Sequence, residues 1–409
     1  MTAKLKQLQN LVPNPDWASL PLFDRSGWTR VRFGDVVENL NETERSPAEA
    51  GIDRFIGMEH LEPGSLHVRE WGNVADGTTF TRRCRSGQVL FGKRRAYQRK
   101  VAVAEFDAVV SGDIYVLAPK DDRLIPELLP FLCLSERFFQ HAVGTSAGSL
   151  SPRTNWSSLA SFEFDLPPID QQRRIAEILW TVDHMIVVHR QLTPDTLNYE
   201  KAYLKDRLGS DPAKMPMARL GDLAEFITSG PRGWADYYSD AGALFIRSQN
   251  IRNQVLEFTD LQRVSPPESA EGTRTRTKAG DVVITATGNS VGNVAYIPSD
   301  LEDAYVSQHV ALVRLKYPPM HRVISAFLSP NGPGSDQIKR AQYGLKPGLS
   351  LIDIRNFQIP ILPRSELEAI TATISHFDNA KATLERQVCR STELQTHLIN
   401  SIVDTYDIH

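Results

Sequence analysis

The chain has 409 residues, 41% hydrophobic and 23% charged, with a formal net charge of −3. That length calls for more than one core, and the near-neutral balance excludes a generic polycation, so any nucleic-acid surface has to be local. Three scattered cysteines (Cys84, Cys133 and Cys389) without a CxxC argue against a disulfide framework or a zinc ribbon and fit a reducing, cytoplasmic setting; no signal-peptide core and no run of eighteen apolar residues is present.

Residues 1–27 form a lead, and patterned sequence begins at Trp28. Short β-branched runs follow, punctuated by Gly, Pro and Asn: "FGDVVE" (Phe33–Glu38), "RFIGMEHL" (Arg54–Leu61), "SGQVLF" (Ser86–Phe91) and "VVSGDIYVL" (Val109–Leu117). These read as strands. "LIPELLPFLCLSERFFQHAV" reads as helical, and "FEFDLPPIDQQRRIAEILWTVD" (Phe162–Asp183) leads from a strand through Pro168 into a long helix. Its apolar seam falls on Ile175, Leu179, Val182, Ile186 and His189, spaced 4, 3, 4, 3. Pro194 sits inside that pattern, so a kink or short break is expected there, with Thr193 capping a restarted helix that stops at Gly209.

The chain then repeats itself. "FQIPILPRSELEAITATISHFD" (Phe357–Asp378) aligns with Phe162–Asp183 without a gap, at a constant offset of 195. "LGDLAE" (Leu220–Glu225), "LFIRSQNI" (Leu244–Ile251), "AGDVVI" (Ala279–Ile284) and "YVSQHVALV" (Tyr305–Val313) match the four strand strings above in the same order, at offsets of 187, 190, 193 and 196. Drifting offsets are what loop insertions between shared strands produce, and ordered self-similarity means that the unit is built twice. After Pro363 a second helix carries Ile370, Ile374, Phe377, Lys381, Leu384, Val388, Ser391, Gln395, Leu398 and Ile402 in one heptad register, and Ser365 with Glu368 suggests a capping box. Two seams that cannot be buried alone are expected to pack on each other. The expected fold is α+β: two similar globular units, 28–168 and 211–363, separated by two long helices, 169–210 and 364–409, forming an antiparallel coiled coil.

Motifs for chemistry are missing from the sequence. No [DNS]PP[YFW], GxxxxGK[ST], HExxH or GxSxG is present, and "PDTLNYEK" lacks the spacing of a PD…ExK nuclease. No catalytic or metal-binding residue is assigned. His184 and His189, five apart, do not share a helix face as a ligand pair. Asp183 and Asp378 occupy matching helix positions and read as solvated.

Recognition is better represented. "RRCRSGQVLFGKRRAYQRK" (Arg82–Lys100) holds eight basic residues in nineteen and no acid. Lys and Arg clusters supply phosphate contacts, and arginine reads guanine bidentately. Candidate DNA contacts here are Lys93, Arg94, Arg95, Tyr97, Arg99 and Lys100, with Arg153 at the end of "VGTSAGSLSPR". In the second copy the corresponding stretch, "ITATGNSVGNVAY", offers Thr287, Asn289 and Ser290; Arg274 and Arg276 precede it, and Lys339, Arg340, Tyr343 and Lys346 follow. Different polar loops on one repeated scaffold suggest two different sequences being read.

The doubled architecture, the proline-led "DLPPIDQQRRIAEILWTVD", its second copy "IPILPRSELEAITATISHFD" and the "GDV", "GDL", "SGQVL" and "AGDVV" strings resemble the specificity subunit of type I restriction-modification systems. The resemblance implies that each globular unit is a target-recognition domain reading one half of a split double-stranded DNA site. It also implies that the paired helices act as a ruler and as the docking surface for two modification (methyltransferase) subunits. S-adenosylmethionine is then expected on those partners, with no cofactor on this chain, and the same assembly has room for a restriction or translocase subunit whose presence the sequence leaves open. The expected role is that of a non-catalytic subunit. The rival readings are a specificity-like subunit of another phage-defence system and a coiled-coil scaffold that binds only protein.

Overall fold

A computed structural model of the protein describes residues 23–209, 215–252, 254–266, 268–342 and 348–403. The chain forms two compact units, one comprising residues up to His189 together with those from Arg386 onward, the other Arg190–Glu385.

In the first unit the strands are β1 (Thr29–Arg32), β2 (Val37–Leu40), β3 (Arg54–Ile56), β4 (Gly72–Asn73), β5 (Arg82–Cys84), β6 (Val89–Gly92), β7 (Val101–Val103), β8 (Ala108–Val110), β9 (Ile114–Pro119) and β10 (Glu163–Leu166). They make an antiparallel sheet in the order β2-β9-β6-β7, a mixed sheet β4-β3-β8-β5, and the ribbon β1-β10. The helical stretch before β10 divides at Ser135 into α1 (Leu129–Leu134) and α2 (Glu136–Gly144), and the long helix α3 is Ile169–Leu208. β6 and β8 are buried along their whole length, which is why they read as unbroken apolar runs rather than alternating ones.

The second unit holds β11 (Met217–Arg219), β12 (Ala224–Ser229), β13 (Tyr238–Ser239), β14 (Ala243–Ile246), β15 (Ile251–Arg252), β16 (Val255–Leu256), β17 (Arg263–Val264), β18 (Val282–Thr285), β19 (Val294–Tyr296), β20 (Ala304–Val306), β21 (Val310–Leu315) and β22 (Gln358–Pro360). Its sheets are β12-β21-β18-β19 and β13-β17-β14-β20, with the ribbons β11-β22 and β15-β16. Its longer helices are α4 (His321–Leu328), α5 (Ser335–Ala341) and the N-terminal part of α6 (Arg364–Val403), whose residues from Arg386 belong to the first unit. The central parallel pair of each unit repeats in register. Phe55 lies opposite Val109 in the parallel pair β3/β8, and Phe245 lies opposite Tyr305 in the parallel pair β14/β20.

The helices bury their seams within each unit. In the first, Ile175, Leu179, Val182 and Ile186 of α3 share one core with Leu398, Ile399, Ile402 and Val403 of α6 and with Phe33, Phe138 and Phe164 of the globular part. In the second, Glu200 Oε2 meets Lys381 Nζ at 2.9 Å, Tyr203 packs on Phe377, and Arg207 Nη2 meets Glu366 Oε1 at 2.9 Å. Partners therefore run in opposite directions, and the helices pair antiparallel. The polar seam positions are explained by this pairing: Lys381 neutralises buried Glu200, and Gln395 Nε2 donates to Asp183 Oδ1 at 3.2 Å.

Docking of α3 onto its globular unit uses the motif residues after Pro168. Gln172, fully buried, accepts from the Ile125 N–H at 3.0 Å and donates to the Arg123 and Pro167 carbonyls at 2.7 and 2.8 Å. Trp28 Nε1 donates to Gln171 Oε1 at 2.7 Å, and Trp180 Nε1 to the Glu127 carbonyl at 3.0 Å. Asp183 is buried rather than solvated, a correction to the sequence reading: it takes His67 Nε2 at 2.7 Å as well as Gln395. Asp378, at the matching point of α6, pairs with Arg322 of α4 at 3.2 Å. The repeated aspartate thus ties each long helix to its own globular part.

Two further expectations are corrected. α3 runs through Pro194 without a break. That proline is exposed, so the carbonyl it leaves without an amide partner can be hydrated. The predicted capping box does not form either, because α6 begins at Arg364, which places Ser365 inside the first turn and engages Glu368 with Arg364 at 2.8 Å. The lead 1–27 lies largely outside the described residues.

Two outcomes follow from the helix contacts. Lys381→Met leaves Glu200 buried without its cation and should cost about 3 kcal/mol, whereas the double variant with Glu200→Leu should recover most of it; denaturant midpoints check both. His67 sits between Asp183 and Glu105 (2.8 Å), and the Asp183 hydrogen bond, opposed by burial and aided by Glu105, raises its pKa to about 8. A raised folded-state value stabilises fully below about pH 6.5, and the contribution disappears as the pH rises through about 8. Thermal melts should therefore lose at most about 2 kcal/mol from this group between pH 6 and 9, and His67→Gln should remove that part of the pH dependence.

Candidate nucleic-acid interface

The basic run of the first unit does not form one patch. Arg82, Arg83 and Arg85 belong to β5 and its end, where Arg83 pairs with Asp107 at 2.9 Å and Arg85 with Glu42 at 2.6 Å. The remainder forms the connection between β6 and β7. There Arg95 (φ 53°) and Arg99 (φ 54°) adopt left-handed backbone on either side of a single turn, Ala96–Gln98. Such conformations cost free energy in residues other than glycine and persist only where the surroundings enforce them. Buried Ala96 fixes the turn from below, and Arg99 is held by Glu136 of α2 while lying over the Phe139 ring. Tyr97, 56% exposed, stands at the crest.

A second loop is annealed to this one. The Arg95 N–H donates to the Pro152 carbonyl at 2.7 Å and the Thr154 N–H to the Lys93 carbonyl at 3.1 Å. Asp113 lies between the loops, accepting from Arg153 Nε at 2.7 Å and facing Arg94 Nη1 at 3.5 Å. The Arg153 hydrogen bond holds its carboxyl below the usual range. Ser151 Oγ accepts from Arg94 Nη2 at 3.1 Å and Arg95 Nη2 at 3.3 Å. Arg94, Arg95 and Arg153 are thus gathered on a rigid support, with Tyr97 and Arg99 beside them. Lys93 and Lys100 face inward: Lys93 lies over the Tyr115 ring, where burial lowers its pKa, and Lys100 Nζ donates to the Met58 carbonyl at 2.7 Å.

The second unit repeats the frame with other chemistry. The Ala286 N–H donates to the His309 carbonyl at 2.8 Å, as the Lys93 N–H does to that of Asp113 at 3.0 Å, and the Leu349 N–H donates to the Ala286 carbonyl at 2.8 Å. The β18–β19 connection presents Thr287, Asn289 and Ser290, with Thr287 Oγ1 at 2.6 Å from His309 Nδ1. Helix α5 packs on this loop through Gln342 Nε2, which donates to the Val291 carbonyl at 3.3 Å, and so brings exposed Lys339 and Arg340 to the same end of the unit. Arg274 and Arg276 do not join them. Arg276 is engaged by Asp303 at 2.6 Å and its carbonyl by Arg314, at the opposite end of β18 and β21. Tyr343 and Lys346 lie outside the described residues.

The sequence reading missed Asp113, Ser151 and His309. Asp113 and His309 occupy the same position of the aligned strings "VVSGDIYVL" and "YVSQHVALV", a place where the copies differ in charge beneath the loops that differ. Among the described residues, no group of His, Cys, Asp and Glu could hold a metal ion, and no helix is long and apolar enough to cross a membrane.

Comparison with known proteins gives this arrangement a context. Residues 25–195 match the family model of the type I restriction modification DNA specificity domain. The chain is 26% identical over 180 residues to the type I restriction enzyme EcoDI specificity subunit of Escherichia coli, covering 42% of this chain and 36% of that protein. It is 22% identical over 204 residues to the HindI specificity subunit of Haemophilus influenzae, covering 48% and 44%. The matched segment spans less than half the length of either curated relative. In fold, the chain resembles the type I restriction-modification S subunit from M. genitalium (TM-score 0.59, 13% identity, 93% and 96% of the two chains). It also resembles a chain from a structural study of complex assembly and conformational transition of the type I R-M system (TM-score 0.58, 17% identity, 92% and 97%). Residues 25–195 are therefore similar to the type I restriction modification DNA specificity domain, and over more than nine-tenths of its length the chain shares the fold of these two solved structures.

Proposed function

We propose that the chain is the DNA sequence-specificity subunit of a type I restriction-modification complex. Each globular unit reads one half of a bipartite site in double-stranded DNA, and the long helices dock two modification subunits. The observation that carries this reading is the pair of equivalent hairpin frames with unlike surfaces, arginines on Asp113 and Ser151 in one, Thr287 on His309 in the other. One rigid scaffold with two surface chemistries is what reading two different half-sites requires.

Arg94, Arg95, Arg99 and Arg153 supply base-edge and phosphate contacts in the first half, with Tyr97 beside them. Thr287, Asn289, Ser290, Lys339 and Arg340 serve the second. Catalysis belongs to the partners, which bring S-adenosylmethionine; this chain contributes address and assembly.

Sequencing of methylated DNA from cells carrying this gene with its modification partner should give a motif of two halves around an unspecified gap. Alanine at a base-reading arginine should cost about 1–3 kcal/mol and relax one position of one half only. Alanine at a phosphate-contacting cation should weaken binding to all duplexes and lower the salt slope by about one. Asn289 and Ser290 variants should alter the other half alone. If every variant binds the motif as the parent does, these loops are ordinary solvated turns. An absence of salt-dependent duplex binding would favour a protein-only scaffold, and methyl transfer from labelled S-adenosylmethionine by the purified chain alone would overturn the non-catalytic assignment.

A further inference from the structure

The loop that carries Arg153 also carries an unexplained side chain. Leu150 is 89% exposed, the highest value of any large hydrophobic residue among those described. A single exposed leucine is ordinary on a protein surface; what sets this one apart is the ordered, arginine-bearing loop that holds it. This loop is not loose. The Thr145 and Ser146 hydroxyls donate back to the His141 and Ala142 carbonyls, each at 2.7 Å. Ala147 and Arg153 exchange two backbone hydrogen bonds of 3.0 Å, closing the loop at its base. Gly148 (φ 114°) makes the turn that places Leu150 beyond that base. The neighbouring Ser151 is the residue that gathers Arg94 and Arg95. The leucine is therefore held out, with small residues on both sides and guanidinium groups around it.

We propose that Leu150 is a specificity-determining residue that contacts the C5-methyl group of a thymine in the major groove of the first half-site. This rests on the DNA-reading role proposed above. The flanking arginines bring the loop against a polyanion, and the thymine methyl is the apolar feature that the major groove offers a side chain with no hydrogen-bonding group. The glycine and serines beside Leu150 present little bulk, so the tip can approach a base edge closely. The second copy carries Leu345 at the matching position of "GLKP", outside the described residues, so a change at Leu150 alone acts only on the half read by the first unit.

The probe is a duplex bearing the methylated motif, with each thymine of the first half replaced in turn by deoxyuridine, which removes the methyl group and nothing else. The complex formed with the modification subunits should lose about fourfold in affinity at one position, the value of one buried methyl group. Leu150→Ala should bind both duplexes equally, Leu150→Met should keep the discrimination, and methylation in cells carrying Leu150→Ala should relax at that same position while the second half stays unchanged. A first half-site without thymine, a parent complex indifferent to every deoxyuridine substitution, or a Leu150→Ala variant with the parental motif overturns this proposal while leaving the DNA-reading role intact. A parent that fails to bind the motif at all overturns the role itself.

Discussion

A forty-residue helix with an apolar stripe cannot stand alone in water, and the rest of this molecule is arranged around that constraint. α3 and α6 each bury their stripe against the other and against a globular part. Burial of this kind has no direction of its own. Polar contacts at the seam supply the direction. Asp183 accepts from both Gln395 and His67, and Glu200 takes Lys381. Each contact satisfies a group whose burial would otherwise be costly, and each is satisfied in only one alignment. A slip of the helices would leave these groups unpaired, which makes the polar positions the determinants of register.

The two globular units show what duplication retains. Much of the strand pairing recurs in register, Val89 with Leu117 as Val282 with Val313, because side-chain direction alternates along a strand and a shift of one position would turn the buried face outward; the pair β12/β21 departs from this at a bulge between Ala224 and Phe226. The ribbon β1-β10 and its counterpart β11-β22 close each unit in the same way. Connections between strands are exempt from that constraint. The β6–β7 turn became arginine-rich and left-handed at two positions, while β18–β19 became a small polar turn with Gly288 and Gly292 at positive φ. The supporting position changed in step, Asp113 in one unit and His309 in the other, because an exposed guanidinium and an exposed hydroxyl need different partners to hold them still.

Local charge in the first unit also depends on partners. Eight basic residues lie within nineteen positions, yet the fold assigns carboxylates to several of them: Asp107 to Arg83, Glu42 to Arg85, Asp113 to Arg94 and Glu136 to Arg99. Arginines fixed by such pairs lose less conformational freedom on meeting a ligand. The cluster is thus a set of oriented donors rather than a diffuse positive field.

The sequence by itself determined whatever is periodic or repeated: the duplication at an offset of 195, the strand strings in order, the two seams and the need to pair them, and the location of the polar loops. Those features are carried by spacing along the chain, which survives without coordinates. What only the tertiary structure decided depends on partners distant in sequence. Pro194 looked like a break because proline removes a backbone bond, but its exposure lets water replace the partner. Asp183 looked solvated until His67, 116 residues earlier, and Gln395, 212 residues later, closed over it. Arg276 stood near Thr287 in sequence, yet the length of β18 holds them at opposite ends of one strand pair. Lys93 and Lys100 counted equally with Arg94 and Arg95 in the basic run, and only packing on Tyr115 and Met58 turned the lysines inward. Spacing fixes which residues share a face; which charges meet is fixed by the folded chain, because electrostatic and hydrogen-bonded partners are chosen by distance in space and not by distance in sequence.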